Sequence, residues 1–411
     1  MKVSLITKPK VRFKDFSEPW SHKKLGNIGT FKNGVNKGAE DFGHGFPFIN
    51  LLDVFGKTEI NNPKLELVNA TKNDLKTYTV KEGDVFFIRS SVKRTGVGET
   101  VVASQDLENT VYSGFLIRYR SEKVLNKSFK KYCFWTENFR NSLIKYSTSS
   151  ANTNINQESL QQLQLALPEL KEQQKIANFL SSVDKKINLL KEKHSLLLQY
   201  KKGVMLKLFK QEVRFKDENG QAFSDWTTER VDYFVERYNE PVEVEQNKSY
   251  RQIGIRSHGK GIFHKENVQG HELGGKRVFW VHPNAFVVNI VFAWEHAVAK
   301  TSKNEQGFIA SHRFPMYLPK DDRVDLRFFT LFFLSKRGKY LLELASPGGA
   351  GRNKTLGQSN FAELKVTLPC LEEQKRIADF NDALEEKLEA AKKQIELTQT
   401  FKKGLLQQMF V

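Results

Sequence analysis

The chain has 411 residues, 39% of them hydrophobic and 27% charged, with a formal net charge of +18. That length suits two or three domains, each with its own core. Two cysteines, Cys133 and Cys370, exclude a disulfide framework and a four-thiolate zinc site, and fit a reducing cytoplasm.

Over residues 1–165, Lys and Arg outnumber Asp and Glu by 25 to 16, and over 213–366 by 23 to 18. Over 367–411 they stand at 7 to 8, so the surplus belongs mainly to the two larger segments. Such a surplus favours a polyanionic partner, because each cation placed on a phosphate releases condensed counterions. The opening MKVSLITKPKVRF lacks the apolar core of a signal peptide. The most apolar short run, FVVNIVFAW at 286–294, is about half a membrane span and reads as a buried strand. The expectation is a cytoplasmic protein with no membrane partner.

From the N-terminus, VRFKDFSEPW (11–20) precedes a segment rich in strand signals, EGDVFFIRS (82–90) and TVYSGFLIRYR (110–120). SFKKYCFWTENFRNSLIKY (128–146) follows with aromatics every three or four residues, which predicts a helix with a buried aromatic face rather than a base-stacking surface. A polar loop, STSSANTNINQ (147–157), comes next. LPELKEQQKIANFL (167–180) then opens a long helix, with Pro168 where a first-turn proline loses no intrahelical donor.

The order then repeats. VRFKDENGQAFSDW (213–226) restates the opening, and VHPNAFVVN (281–289) lies over VKEGDVFFI (80–88) at an offset of 201 residues. NAFVVNIVFAW and FPMYL (314–318) read as strands, LRFFTLFFLSKRGKYLLELA (326–345) as a helix, and SPGGAGRNKTLGQ (346–358) as its loop. LPCLEEQKRIADFN (368–381) opens a second long helix at the same offset. Repetition on this scale means two similar units, 1–165 with helix 166–211 and 212–366 with helix 367–411.

Along the first helix Leu180, Val183, Ile187, Leu190, His194, Leu197, Lys201, Val204 and Leu208 alternate spacings of three and four. The second matches with Leu384, Leu388, Ala391, Ile395, Thr398, Lys402, Leu405 and Met409. This is a heptad seam with polar interruptions. Gly203 and Gly404 interrupt runs of good helix formers, which suggests close backbone approach or a helix end. If a pseudo-twofold axis relates the halves, the helices pack antiparallel. The expected fold is therefore a duplicated pair of mixed α/β domains separated by two long antiparallel coiled-coil helices. Residues 172–209 would span about 57 Å, against roughly 34–36 Å between half-sites one DNA turn apart.

In this duplicated order the sequence resembles the specificity subunit of type I restriction–modification systems, over essentially its whole length. The matching positions of the helix start are Leu167, Pro168, Leu170, Glu172, Gln173, Ile176, Ala177 and Phe179, with Leu368, Pro369, Leu371, Glu373, Gln374, Ile377, Ala378 and Phe380 in the second copy. The resemblance implies two target recognition domains, each reading half of an asymmetric bipartite DNA sequence. It also implies helices that set the spacing and dock two modification subunits. Those partners would carry S-adenosylmethionine and methylate adenine at N6, and restriction subunits would add ATP- and Mg-dependent translocation and cleavage. The chain itself would hold no cofactor and no catalytic residue.

The residues agree with that expectation. There is no [N/D]-P-P-[Y/F] tetrapeptide and no G-x-x-x-x-G-K-[S/T] loop. WEHAVAK (294–300) lacks the two histidines one turn apart of a zinc hydrolase, and reads as a strand end facing DNA. A nuclease activity of the chain itself, or a scaffold that does not read DNA, are the alternatives. Base edges are read by Arg, Asn and Gln, and phosphates are held by Lys, Ser, Thr and backbone amides. Those residue types gather in four loops, each otherwise an ordinary solvated loop: Arg89, Ser90, Lys93, Arg94 and Thr95; Ser149, Ser150, Asn152 and Asn154; Arg256, Ser257, His258 and Lys260; Arg352, Asn353 and Lys354.

Overall fold

The computed structural model describes residues 8–60, 64–121, 123–149, 151–348 and 354–411. It divides into two compact units, Met1–Glu192 with Lys392–Val411, and Lys193–Ala391.

The first unit is built on a five-stranded sheet in the order Gly29–Asn33, Leu116–Ser121, Val85–Ile88, Thr100–Ala103, Glu59–Ile60. Val85–Ile88 is buried on both faces, which is why it reads as a continuous apolar run. Alternate side chains serve different cores. Val85 and Phe87 pack with Phe129, Phe134 and Phe139 of the helical layer, while Phe86 and Ile88 pack with Ile49 and Tyr112 on the opposite face.

In the second unit the sheet runs Val235–Tyr238, Met316–Pro319, Phe286–Val288, Val298–Lys300. Phe286 and Val288 face the helical core with Phe328, Phe329 and Phe333, and Val287 turns to Ile253 and Phe308. The strand alternates as its counterpart 201 residues earlier does. A second sheet, in the order Ile262–His264, Ser249–Ile255, Phe308–Ser311, Val278–Trp280, covers the far face.

Four predicted elements are shorter or more broken than the sequence pattern suggests. The strand expected over 110–120 is two, Val111–Tyr112 and Leu116–Ser121, which the turn Ser113–Phe115 sends to different sheets. The helix expected over 128–146 is two pieces, Lys130–Cys133 and Glu137–Lys145, because Thr136 caps the second by accepting from Phe139 N at 3.4 Å. Ser335 divides 326–345 in the same way, its Oγ accepting from Gly338 N at 3.1 Å. The strand in NAFVVNIVFAW stops at Val288, since Asn289 Oδ1 accepts from Val291 N at 3.1 Å and turns the chain.

Each globular domain is closed by one antiparallel ladder, Ser21–Lys24 with Gln164–Leu167 in the first unit and Thr227–Arg230 with Lys365–Leu368 in the second. A long helix follows each ladder, Leu170–Phe209 and Leu371–Gln408. The repeated Glu-Gln pair locks helix to domain. Arg12 donates to both oxygens of Glu172 at 2.8 Å, and Arg214 to those of Glu373 at 3.2 and 2.7 Å. Gln173 and Gln374 each donate back to a proline carbonyl, Pro168 and Pro369, at 2.9 Å.

Within the first unit the helices run in opposite directions. Leu180 shares its core with Met409 and Phe410, and Lys402 Nζ lies 2.6 Å from Asp184. The second unit repeats this with Leu208 beside Ile377 and Ala378, and Lys201 paired with Glu385. Every seam position named above is buried or half-buried. Gly203 and Gly404 are different: an added Cβ would meet nothing within 4 Å at either, and both helices continue past them. Neither close approach nor a helix end explains these glycines, and nothing else in the structure does.

Candidate nucleic-acid interface

In the first unit, two of the polar loops meet at one end of the five-stranded sheet. Ser90–Ser91 pairs with Thr153–Asn154, which in turn pairs with Thr148–Ser149. The carbonyl of Arg89 accepts from Ile155 N at 2.9 Å, so residues about sixty positions apart form one small sheet. Arg89, Lys93, Arg94, Thr95 and Asn152 are exposed, and Ser90 and Asn154 are half-buried. Asn154 Nδ2 donates to the Asn152 carbonyl at 3.0 Å. Ser150 lies outside the described residues, and Ser149 is placed by its backbone alone.

This loop is a fixed platform. Arg140 reaches from the helix Glu137–Lys145 and donates to the carbonyls of Thr95 and Val97 at 2.8 and 2.7 Å. Burial lowers the pKa of its guanidinium below the ordinary value, and the two carbonyls hold this cation against the fold. Gly98 takes φ +64°, and a Cβ there would sit 2.4 Å from Leu143 Cδ1, which leaves only glycine.

In the second unit, the turn after Ser249–Ile255 folds onto the segment that is equivalent to that platform. His258 N donates to the Glu295 carbonyl at 2.6 Å and Gly259 N to that of His296 at 3.0 Å. His258 (φ +62°) and Gly259 (φ +65°) turn the chain back, and Arg256 N closes the loop onto Gly261 O at 3.0 Å. Arg256, His258 and Lys260 are exposed and Ser257 is half-buried. The Arg256 guanidinium lies 4.8 Å above the Phe263 ring, which fixes a cation that would otherwise sample many rotamers. From the fourth loop, Lys354 Nζ lies 5.8 Å from the Trp294 ring; Arg352 and Asn353 are outside the described residues. The structure thus brings the third loop and Lys354 to a common centre at Trp294–His296.

That centre carries residues the four loops omit. Trp294 and Glu295 lie in the short helical turn Ala293–Glu295, which His296 caps, between strands Phe286–Val288 and Val298–Lys300, as Arg94–Gly96 lies between Val85–Ile88 and Thr100–Ala103. The signal was present in the 201-residue offset, which lays 290–299 over 89–98. Desolvation lowers the pKa of His296 from 6.5, so it is neutral near pH 7. In the first unit the omitted neighbour is the turn Ser113–Phe115, where the Phe115 carbonyl accepts from Arg89 N at 2.8 Å. The Ser113-Gly114 pair is a local turn signal, which the apolar run on either side of it obscured.

Among the described residues, no group of His, Cys, Asp and Glu is arranged to hold a metal ion, and no helix is long and apolar enough to cross a membrane. Cys133 is fully buried, and burial raises its pKa well above the ordinary thiol value.

The profile of the type I restriction modification DNA specificity domain matches residues 17–199 and 280–399, well over half the chain. The chain belongs to this specificity family. Among similar specificity chains is the MjaX type I restriction enzyme subunit of Methanocaldococcus jannaschii, 25% identical over 97% of this chain and 94% of its own. The MjaVIII specificity subunit of the same organism is 22% identical over 67% and 68%. Solved specificity folds agree. The S subunit from M. genitalium covers 98% of this chain and 99% of its own at 13% identity, with a TM-score of 0.55. HsdS from Thermoanaerobacter tengcongensis covers 95% and 96% at 13% identity, with a TM-score of 0.54. In the specificity family's terms, this chain has two similar frames carrying unlike loops, one rich in Arg and Lys, the other centred on Trp294 and His296.

Proposed function

We propose that this specificity subunit reads DNA without catalysing a reaction, through recognition domains at 1–165 and 212–366 that each bind one half of an asymmetric bipartite site. The helices 166–211 and 367–411 act as spacer and dock two modification subunits. S-adenosylmethionine is bound by those partners, which methylate adenine. ATP and Mg are used by restriction subunits, and the assembly works in the cytoplasm. The observation that carries this reading is the equivalent loop of the two domains, Arg89–Gly98 and Ile290–Ala299, presented by the same strand frame with different chemistry. Like frames place two readers, and unlike side chains make them read different bases.

Mapping N6-methyladenine across the genome of cells with and without the chain tests this. The expected result is one motif of two unlike halves with a fixed spacer, lost when the chain is deleted. An unchanged methylation map, or a continuous palindrome, overturns it. At the residue level, Arg94→Ala is expected to weaken site DNA by about 1–3 kcal/mol and relax one position. Equal loss on site and non-site DNA would show a phosphate contact instead.

A further inference from the structure

Three large apolar side chains stand in solvent on the loops of the first domain's candidate interface. Leu52 is 82% exposed, Val92 83% and Phe115 58%. Single exposed apolar residues are ordinary on a protein surface. These three differ in that the backbone beneath each is fixed and the loops adjoin. Ser113 N donates to the Ile49 carbonyl at 2.9 Å, which joins the Phe115 turn to the loop of Leu52, whose short helix is capped by Asn50. Phe115 N donates to Ser113 Oγ at 3.2 Å, and its carbonyl accepts from Arg89 N at 2.8 Å. The preceding Gly114 leaves no room for a Cβ, which would lie 1.9 Å from Asn36 Oδ1. Val92 follows Ser91, whose strand is paired to Thr153, and precedes the exposed Lys93 and Arg94.

A rigid apolar tip among exposed cations is suited to a polyanion that also carries apolar groups at a defined depth. Duplex DNA is such a partner: phosphates meet Lys93 and Arg94, and the one apolar group on a base edge in the major groove is the thymine C5-methyl. We propose that Phe115 and Val92 read thymine methyl groups in the half-site bound by the first domain. This rests on the half-site reading above and adds a base-specific contact that does not use a hydrogen bond.

The test uses the complex of this chain with its modification subunits, on the duplex that methylation mapping defines. Each thymine of both half-sites is replaced singly by 2′-deoxyuridine, which removes the methyl and keeps every base-pairing group. At one or two positions the wild-type complex is expected to lose about fourfold in affinity per methyl removed. In Val92→Ala or Phe115→Ala the same position becomes indifferent to the substitution, and Phe115→Leu retains part of the response. Both side chains are exposed, so the variants keep their fold, which a melting curve confirms. Indifference of the wild type to uracil throughout overturns the proposal, as does a methyl effect that persists in both variants. Equal loss on site and non-site DNA, or loss of modification-subunit binding alone, overturns it too. Bipartite methylation without uracil sensitivity removes thymine reading and leaves the half-site reading standing, whereas absence of bipartite methylation removes both.

Discussion

The carboxylate of Glu172 is 1% exposed and is held by the Arg12 guanidinium, itself 13% exposed. The partnership raises the pKa of Arg12, as the equivalent pair does for Arg214. Removing the carboxylate strands a guanidinium at the junction of domain and helix, so Glu172→Ala is expected to cost about 2 kcal/mol in denaturant unfolding. A loss below about 0.5 kcal/mol would show that solvent replaces the pair. The two helix glycines, Gly203 exposed and Gly404 half-buried, act in the other direction. Gly203→Ala and Gly404→Ala are each expected to add about 0.5–1 kcal/mol, because the helical backbone is unchanged and the unfolded chain loses freedom. Destabilisation at either would reveal a need for glycine, such as close approach by a partner. The sequence made these residues visible without explaining them, since a glycine in a helix records a cost and not its cause.

At the scale of elements, the duplicated seam decides direction. Lys402 pairs with Asp184, and Lys201 with Glu385; each pair becomes the other when 201 is added or subtracted. In a parallel, in-register arrangement Lys201 would instead face Lys402, so the lysines disfavour that alternative. Both acids are partly exposed, and each pair is expected to show a coupling of about 0.3–1 kcal/mol in an alanine double-mutant cycle, shrinking as salt rises. Zero coupling at low salt in both cycles would leave direction to the apolar seam alone. The seam and its antiparallel sense were legible because heptad spacing is local and the repeat fixes where each helix begins. The small sheet joining Ser90 to Asn154 was not. Two-residue strands carry no periodicity, and their pairing is set by the sheet that delivers both ends to one place. Thr136, Ser335 and Asn289 shortened the predicted elements for a related reason. Their side chains bond the local backbone and end an element while the apolar pattern runs on.

For the whole molecule, the closing ladders matter most. The chain enters and leaves the second globular domain through Thr227–Arg230 and Lys365–Leu368, paired from Thr227↔Leu368 to Arg230↔Lys365. The first domain uses Ser21–Lys24 and Gln164–Leu167 in the same register. Two chain ends held side by side make each domain replaceable without altering the backbone of the helix that follows. Phe328, packed against Trp226 and Phe209 at ring distances of 6.1 and 5.8 Å, shows which contacts must be kept at that junction. Exchanging residues 231–364 for the matching segment of another specificity chain, with Phe328 retained, is expected to change one half of the methylated motif. The other half and the spacer length should stay as they are, because the first domain and both long helices are untouched. Methylation maps of cells carrying the hybrid check this directly. Alteration of both halves, or of the spacer, would mean that recognition is shared across the chain and not confined to separately closed domains.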